Sequence, residues 1–251
     1  MSKTDESQIA NNYIDLHRLC SEESNGKILE RESFVFYSNP DSEWFTRIVL
    51  KEDINGQKLR SELRELDESG FESNILDFSN TIKFESVFRE LGYDHCNEQL
   101  GMFLVGNPLF SERAENVRYE KISDSENLRR WLEIVNVSFQ SDDRENLYLR
   151  LLKRESVSVY AAFYDQTMVA TAMSFYNGNS VGLYSITTDP EHRGKKFASS
   201  LVSFTLERIR SVFSGVVILH ATEMGKGIYE RFGFRKAETL RHWGRSASGL
   251  Q

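Results

Sequence analysis

Apolar residues near the start of the chain recur at helical spacing. Ile9, Tyr13, Leu16 and Cys20 share one face and predict an amphipathic helix that gives way to the polar run 21–27. Segments 33–37 and 44–50 predict strands, with Asn39-Pro40-Asp41 as the turn between them. Leu59, Leu63 and Leu66 then line one face of a helix predicted over 55–69, which Gly70 ends. A strand over 74–78, a helix over 81–91 and a strand over 99–105 follow. The stretch from Gly106-Asn107-Pro108 to Glu115 reads as a linker.

Beyond the linker a second series begins. A strand over 119–123 leads into a helix over 124–139, with Leu128, Trp131, Leu132 and Val135 on one face and Asp124 or Ser125 as its N-cap. A helix over 145–154 comes next. Three strands, 157–164, 168–176 and 180–186, form a meander joined by turns at Asp165-Gln166 and Asn177-Gly178-Asn179. Ala170, Ala172 and Ser174 make the middle strand small-sided, as fits one that another element packs against closely. After Asp189-Pro190 and a basic turn, Leu201, Phe204 and Ile209 mark a long helix. A buried strand at Val216-Val217-Ile218-Leu219, a loop through Thr222, Gly225 and Gly227, and a short helix ending at Gly233 complete the pattern.

An internal echo crosses the linker. Residues 75–93, ILDFSNTIKFESVFRELGY, parallel 218–234, ILHATEMGKGIYERFGF, with Phe88 opposite Tyr229 and Gly92 opposite Gly233. The echo predicts two related halves, 1–113 and 117–251. Each half offers one strand after its short helix, 99–105 in the first and 237–243 in the second. Either each half lends the other an edge strand, or a last strand is absent.

Composition adds bounds. A chain of 251 residues, 39% hydrophobic, holds enough apolar material for two ordinary domains. No apolar run approaches a bilayer span and the opening MSKTDESQ has no signal-peptide core, so a soluble, cytoplasmic protein without a membrane partner is expected. A net charge of −7 and a pI near 5.4 speak against a nucleic-acid partner and mildly favour a cationic amine. Cys20 and Cys96 stand far apart and read as reduced packing residues. His17, His95, His192 and His242 show no metal-ligand spacing, so no metal is expected. Trp44 and Trp131 read as core, and Trp243 as either core or substrate-facing.

The candidate chemistry lies at the basic turn. Strand residues Leu183-Tyr184-Ser185-Ile186 feed Glu191-His192-Arg193-Gly194-Lys195-Lys196, which opens the long helix. Helix N-termini carry unpartnered N–H groups and partial positive charge, and Arg193, Lys195 and Lys196 add full charges, so this turn is suited to hold a diphosphate.

Together with Tyr229, Glu230, Gly233 and Phe234, this turn resembles the GNAT superfamily of acetyl-CoA-dependent N-acetyltransferases, from about Arg118 onward. The family's pyrophosphate motif, Arg/Gln-x-x-Gly-x-Gly/Ala, is matched by Arg193 and Ala198, and its later motif Tyr-Glu-x-x-Gly-Phe by 229–234. The resemblance implies a mixed α/β fold of two GNAT-like halves, each a mostly antiparallel sheet flanked by helices, with the acetyl-CoA site in the C-terminal half. Lys196 departs from the motif's middle glycine. A helical backbone there leaves its N–H aimed at phosphate, whereas a left-handed backbone or a close ligand approach would make lysine damage the site. Because Gly194 and Ala198 keep the turn small, the cradle is expected to survive.

The resemblance further implies direct acetyl transfer to a primary amine without an acyl-enzyme. Tyr229 is the general acid to the departing thiolate, and the backbone of Ile186, Thr187 and Thr188 serves the oxyanion and pantetheine. Arg193, Gly194, Lys195, Lys196, Phe197 and Ala198 hold the diphosphate. The base is open: Glu223 and His220 are the nearest titratable groups, and a neutral amine relaying its proton through water serves as well. In the first half Phe88 lacks the hydroxyl, and Lys51-Glu52-Asp53-Ile54-Asn55-Gly56 is acidic, so that half is expected neither to bind acetyl-CoA nor to catalyse. The acceptor is a small-molecule or peptide amine, and the protein a monomer or homodimer. The competing reading is a non-catalytic CoA-binding sensor or scaffold.

Overall fold

The computed structural model describes residues 3–71, 73–78, 82–223 and 225–245. The first half runs α1 (Lys3–Glu23), β1 (Ile28–Glu30), β2 (Phe34–Tyr37), β3 (Arg47–Leu50), α2 (Gly56–Glu68), β4 (Asn74–Asp77), α3 (Glu85–Glu90) and β5 (Tyr93–Leu104). The second runs β6 (Val117–Ile122), α4 (Ser125–Phe139), α5 (Glu145–Leu151), β7 (Val157–Tyr164), β8 (Thr167–Tyr176), β9 (Ser180–Thr188), α6 (Phe197–Arg210), β10 (Val216–Ala221), α7 (Lys226–Phe232) and β11 (Arg235–Arg245). Helix α3 is shorter than its predicted span, whose first residue, Thr81, lies outside the described residues. Strand β1 escaped the sequence pattern because three residues are too few to establish a period.

The strands form one mixed sheet in the order β1-β2-β3-β4-β11-β5-β10-β9-β8-β7-β6. Two strands are exchanged at its centre. β5 of the first half pairs antiparallel with β10 of the second, from Val217↔Leu104 to Ala221↔Leu100. β11 of the second half pairs with β4 of the first, from Arg241↔Asp77 to Trp243↔Ile75. β5 and β11 also pair with each other, from Arg235↔Phe103 to Arg245↔Tyr93. Each half therefore lends the other a strand, which is the first of the two alternatives left open above. The lent strands lie inside the sheet, with partners on both sides over 100–103 of β5 and 241–243 of β11, so neither half ends in a bare edge there.

Apolar faces close both sides of this sheet. On one side α6 and α7 bury Val202, Leu206, Tyr229 and Phe232 against Leu183, Val217 and Leu219. On the other, α4 and α5 bury Trp131, Leu132, Leu147 and Leu151 against β7 and β8. Helix α1 carries its buried residues Ile9, Tyr13, Leu16 and Cys20 over the middle of that same side, and is locked to the second half through Asn12. The Asn12 amide donates to the carbonyl and hydroxyl of Ser180 at 3.1 and 3.0 Å and accepts from the Tyr184 hydroxyl at 2.6 Å. In the first half Phe88 is buried beside Trp243, ring centroids 5.0 Å apart, which makes Trp243 core. Trp131 is core as well, whereas Trp44 is only half-buried. Cys20 is buried, but Cys96 is exposed rather than part of the core. Among the described residues no helix is long and apolar enough to cross a membrane.

Candidate active site

A single bulge creates the site. β9 and β10 run parallel and in register from Val216↔Ser180 to Leu219↔Leu183, and no further. At that level the β8–β9 register slips between Thr171 and Met173, and Ser185 takes a left-handed φ of 50°. A β-branched donor holds the distortion: Thr171 Oγ1 donates to the Ser185 carbonyl at 2.8 Å. A bulge bends its strand, so beyond Leu183 β9 departs from β10 and its edge from Tyr184 to Thr188 faces a wedge without a strand partner. Ile186, Thr187 and Thr188, singled out from sequence, form that edge.

The chain then turns through Asp189, whose side chain accepts from the Glu191 N–H at 2.9 Å, and a single 3-10 turn at Pro190–His192. Arg193, Gly194, Lys195 and Lys196 are all exposed. Gly194 has a φ of +81° with open space around it, so glycine is what the turn requires there. Lys196 is the N-cap of α6 with φ 63° and ψ 16°, the left-handed and costlier of the two conformations considered for it, worth about 1 kcal/mol of strain. No side chain caps α6, which leaves its first N–H groups directed at the wedge. The first half differs at the equivalent place. There Asn55 caps α2, its side chain accepting from the N–H groups of Gln57 and Lys58 at 2.8 and 3.2 Å. That helix start is already satisfied and offers an anion nothing.

Beside α6 opens a cleft of about 250 Å³. Thr188, Gly194, Lys196, Phe197 and Ala198 of the predicted set line it, joined by Glu112, Ser199, Ile228 and Arg231, which sequence reasoning missed. Glu112 lies in the linker read as a plain connection, and nothing local in the sequence ties it to residue 196 or 231. The linker is in fact strapped along α6 and α7: the Leu109 N–H donates to the Phe232 carbonyl at 3.0 Å, and the Glu112 N–H to Ser203 Oγ at 3.0 Å. Arg113 pairs with Glu207.

Tyr229 stands in α7 and packs, with Ile186 of β9, into the cluster around Leu219 and Ala221. It is 9% exposed, and a Cβ on Gly225 would stand only 3.5 Å from its ring. Burial pushes its phenol pKa up, so at neutral pH the oxygen carries its proton. Glu223 is exposed after β10, with Lys226 Nζ 3.6 Å from its carboxylate. His220 lies on the opposite face of β10 from Tyr229, under α1, in edge-to-face contact with Tyr13 at 4.8 Å. Burial lowers its pKa to about 3, so it is a neutral imidazole and a weak base. Among the described residues no group of three His, Cys, Asp or Glu side chains is arranged to hold a metal.

The fold has counterparts among known proteins. Residues 118–237 match the family profile described as acetyltransferase (GNAT) domain. The fold is similar over nearly the whole chain to a GCN5-related N-acetyltransferase from Kribbella flavida, with 14% identity, a TM-score of 0.71, and 93% of this chain and 96% of that one covered. A GCN5-related N-acetyltransferase from Sphaerobacter thermophilus aligns at 13% identity and a TM-score of 0.63, over 88% of this chain and 84% of the other. A tandem GNAT protein from the clavulanic acid biosynthesis pathway aligns at 12% identity and a TM-score of 0.60, over 87% and 80%. No curated protein sequence matches the chain.

Proposed function

We propose that this chain, whose residues 118–237 match the GNAT acetyltransferase domain, transfers the acetyl group of acetyl-CoA to a primary amine by direct attack, with Tyr229 as general acid. One observation carries the reading: the end of the free β9 edge at Thr188 and the uncapped start of α6 border one cleft, and the buried Tyr229 packs in the same cluster as Ile186 of that edge.

Acetyl-CoA supplies the activated acetyl thioester. The residues fit it from end to end. The uncapped N–H groups of α6 and the side chains of Arg193, Lys195 and Lys196 suit a diphosphate. The free edge from Tyr184 to Thr188 suits an extended chain with amide groups, which would add to β9 as a strand does. N–H groups among Ile186, Thr187 and Thr188 meet the negative charge that develops on the acetyl oxygen. Tyr229 gives its proton to the sulfur as the carbon–sulfur bond breaks, and its raised pKa keeps that proton in place beforehand. The proton lost by the amine passes to water, with the exposed Glu223, just after β10, as the acceptor. The first half takes no part in the chemistry, since Phe88 has no hydroxyl and Asn55 caps its helix.

The amine is a small molecule or a peptide terminus that enters on the side formed by α1, α4 and α5. Calorimetric titration of the protein and of Arg193→Ala with acetyl-CoA and free CoA tests the cradle, and thiol release with a panel of amines tests turnover. Binding lost in Arg193→Ala, with thiol release from the wild type, is the expected result. Binding without turnover on any amine would instead leave a CoA-binding scaffold.

A further inference from the structure

The cationic rim of the wedge already holds an anion, and the chain itself supplies it. Glu112 Oε1 stands 3.1 Å from Lys196 Nζ, and Oε2 stands 3.1 Å from an Arg231 guanidinium nitrogen. Ser199 Oγ, in the first turn of α6, donates to the same carboxylate. This side chain is 7% exposed, while those of Lys196 and Arg231 are 69% and 49% exposed. Burial opposes its ionisation. The bond from Ser199 and the charges of Lys196 and Arg231 outweigh that cost and leave its pKa below the ordinary carboxylate value.

We propose that Glu112 is a built-in competitor for the diphosphate of CoA: the linker between the halves neutralises the cations and first helical turn that the cofactor needs, and so sets its affinity. The inference rests on the wedge being the CoA site. A carboxylate at the start of a helix, bonded to a hydroxyl and two cations, occupies the position and uses the partners that a phosphate would. The linker does not need this charge to stay in place, because Leu109, Arg113 and the Glu112 N–H hold it independently. Lys196 fits the same account, since at this strained position its ammonium reaches the carboxylate.

The test is calorimetric titration with free CoA of the wild type and of Glu112→Gln, which keeps the shape and an acceptor for Ser199 while removing the charge. Glu112→Ala serves as a second variant should the amide disturb folding. Affinity is expected to rise about tenfold in either variant, the effect of one unit charge a few Å from a diphosphate in a half-exposed site. The gain is expected to shrink as salt is raised, which loss of a merely structural contact would not produce. Silence from the wild type with binding by Glu112→Gln would support the proposal in a stronger form. Equal or weaker binding by both folded variants, with the wild type binding, would overturn it and make Glu112 a positioning partner of Arg231. Absence of binding by all three proteins would overturn it and the acetyl-CoA reading together.

Discussion

Three buried histidines, His17 on α1, His220 on β10 and His242 on β11, should make the protein acid-labile above the usual carboxylate range. His17 is fully buried, its Nδ1–H donating to the Tyr13 carbonyl at 2.9 Å. His242 is 6% exposed, with Gln99 Oε1 at 3.2 Å from Nε2, and the side chain of His220 is 3% exposed. Burial is the largest cause in each case, Arg47 adds repulsion at His17 and His242, and all three pKa values fall to about 3. Glu238 lies 4.0 Å from His220, yet burial still dominates there. Depressed values mean that the unfolded chain takes up the protons first, near pH 6.5, so the histidines' contribution is intact above that pH and is lost as pH falls from 6.5 towards 3. At pH 5 each histidine costs about 2 kcal/mol, and the three together about 6 kcal/mol, against a typical domain stability of about 5–15 kcal/mol. Urea unfolding between pH 7.5 and 5 at constant ionic strength measures the slope, which approaches about 4 kcal/mol per pH unit, or three protons, below pH 6. His242→Gln, whose amide can meet Gln99, should lower that slope by one third. Stability that stays within about 1 kcal/mol from pH 7 to 5 would refute the reasoning.

Other outcomes follow from the same geometry. Tyr229→Phe should keep acetyl-CoA affinity while kcat falls about 100-fold or more at every pH, as measured by thiol release; unchanged turnover would remove the phenol from the mechanism. Lys196→Gly and Lys196→Ala both lose the pair with Glu112, but only glycine relieves the left-handed backbone, so thermal unfolding should favour Gly over Ala by about 1 kcal/mol. Expressed separately, 1–113 and 117–251 should each lack a cooperative transition and regain one when mixed, because β10 loses β5 and β4 loses β11 on separation; a monomeric 117–251 that unfolds cooperatively would contradict the strand exchange. Asn12→Ala should destabilise the protein by about 1–3 kcal/mol in urea unfolding, since the Tyr184 hydroxyl beneath α1 would lose its acceptor and the Ser180 carbonyl one of its two donors.

The strand exchange explains why the echo between the halves was incomplete. Each half ends in one strand because its sheet is finished by the other's, and the two long strands β5 and β11 pair along most of their length. The first half, without the phenol at Phe88 or an open helix start at Asn55, thus has a structural duty: it supplies β5 to the sheet that carries the wedge, and α1 to roof it.

Local chemistry made much of this legible from residue order alone. The apolar periods of α2, α4 and α6 dictated those helices, the N-cap of α4 was narrowed to Asp124 or Ser125, of which the structure uses Asp124, and Asp189-Pro190 followed by Arg193-Gly194 announced a turn at a helix start, because each depends on neighbours within a few positions. The end of the short helix α7 at Gly233 was likewise readable. Tertiary structure alone decided the rest. The exchange of β5 and β11, the left-handed backbone of Lys196, the roof of α1, the three buried histidines, and the carboxylate of Glu112 at the start of α6 all depend on contacts between residues distant in sequence. Pairing energies of that kind exist only once the chain has closed upon itself, so no local pattern of residues encodes them.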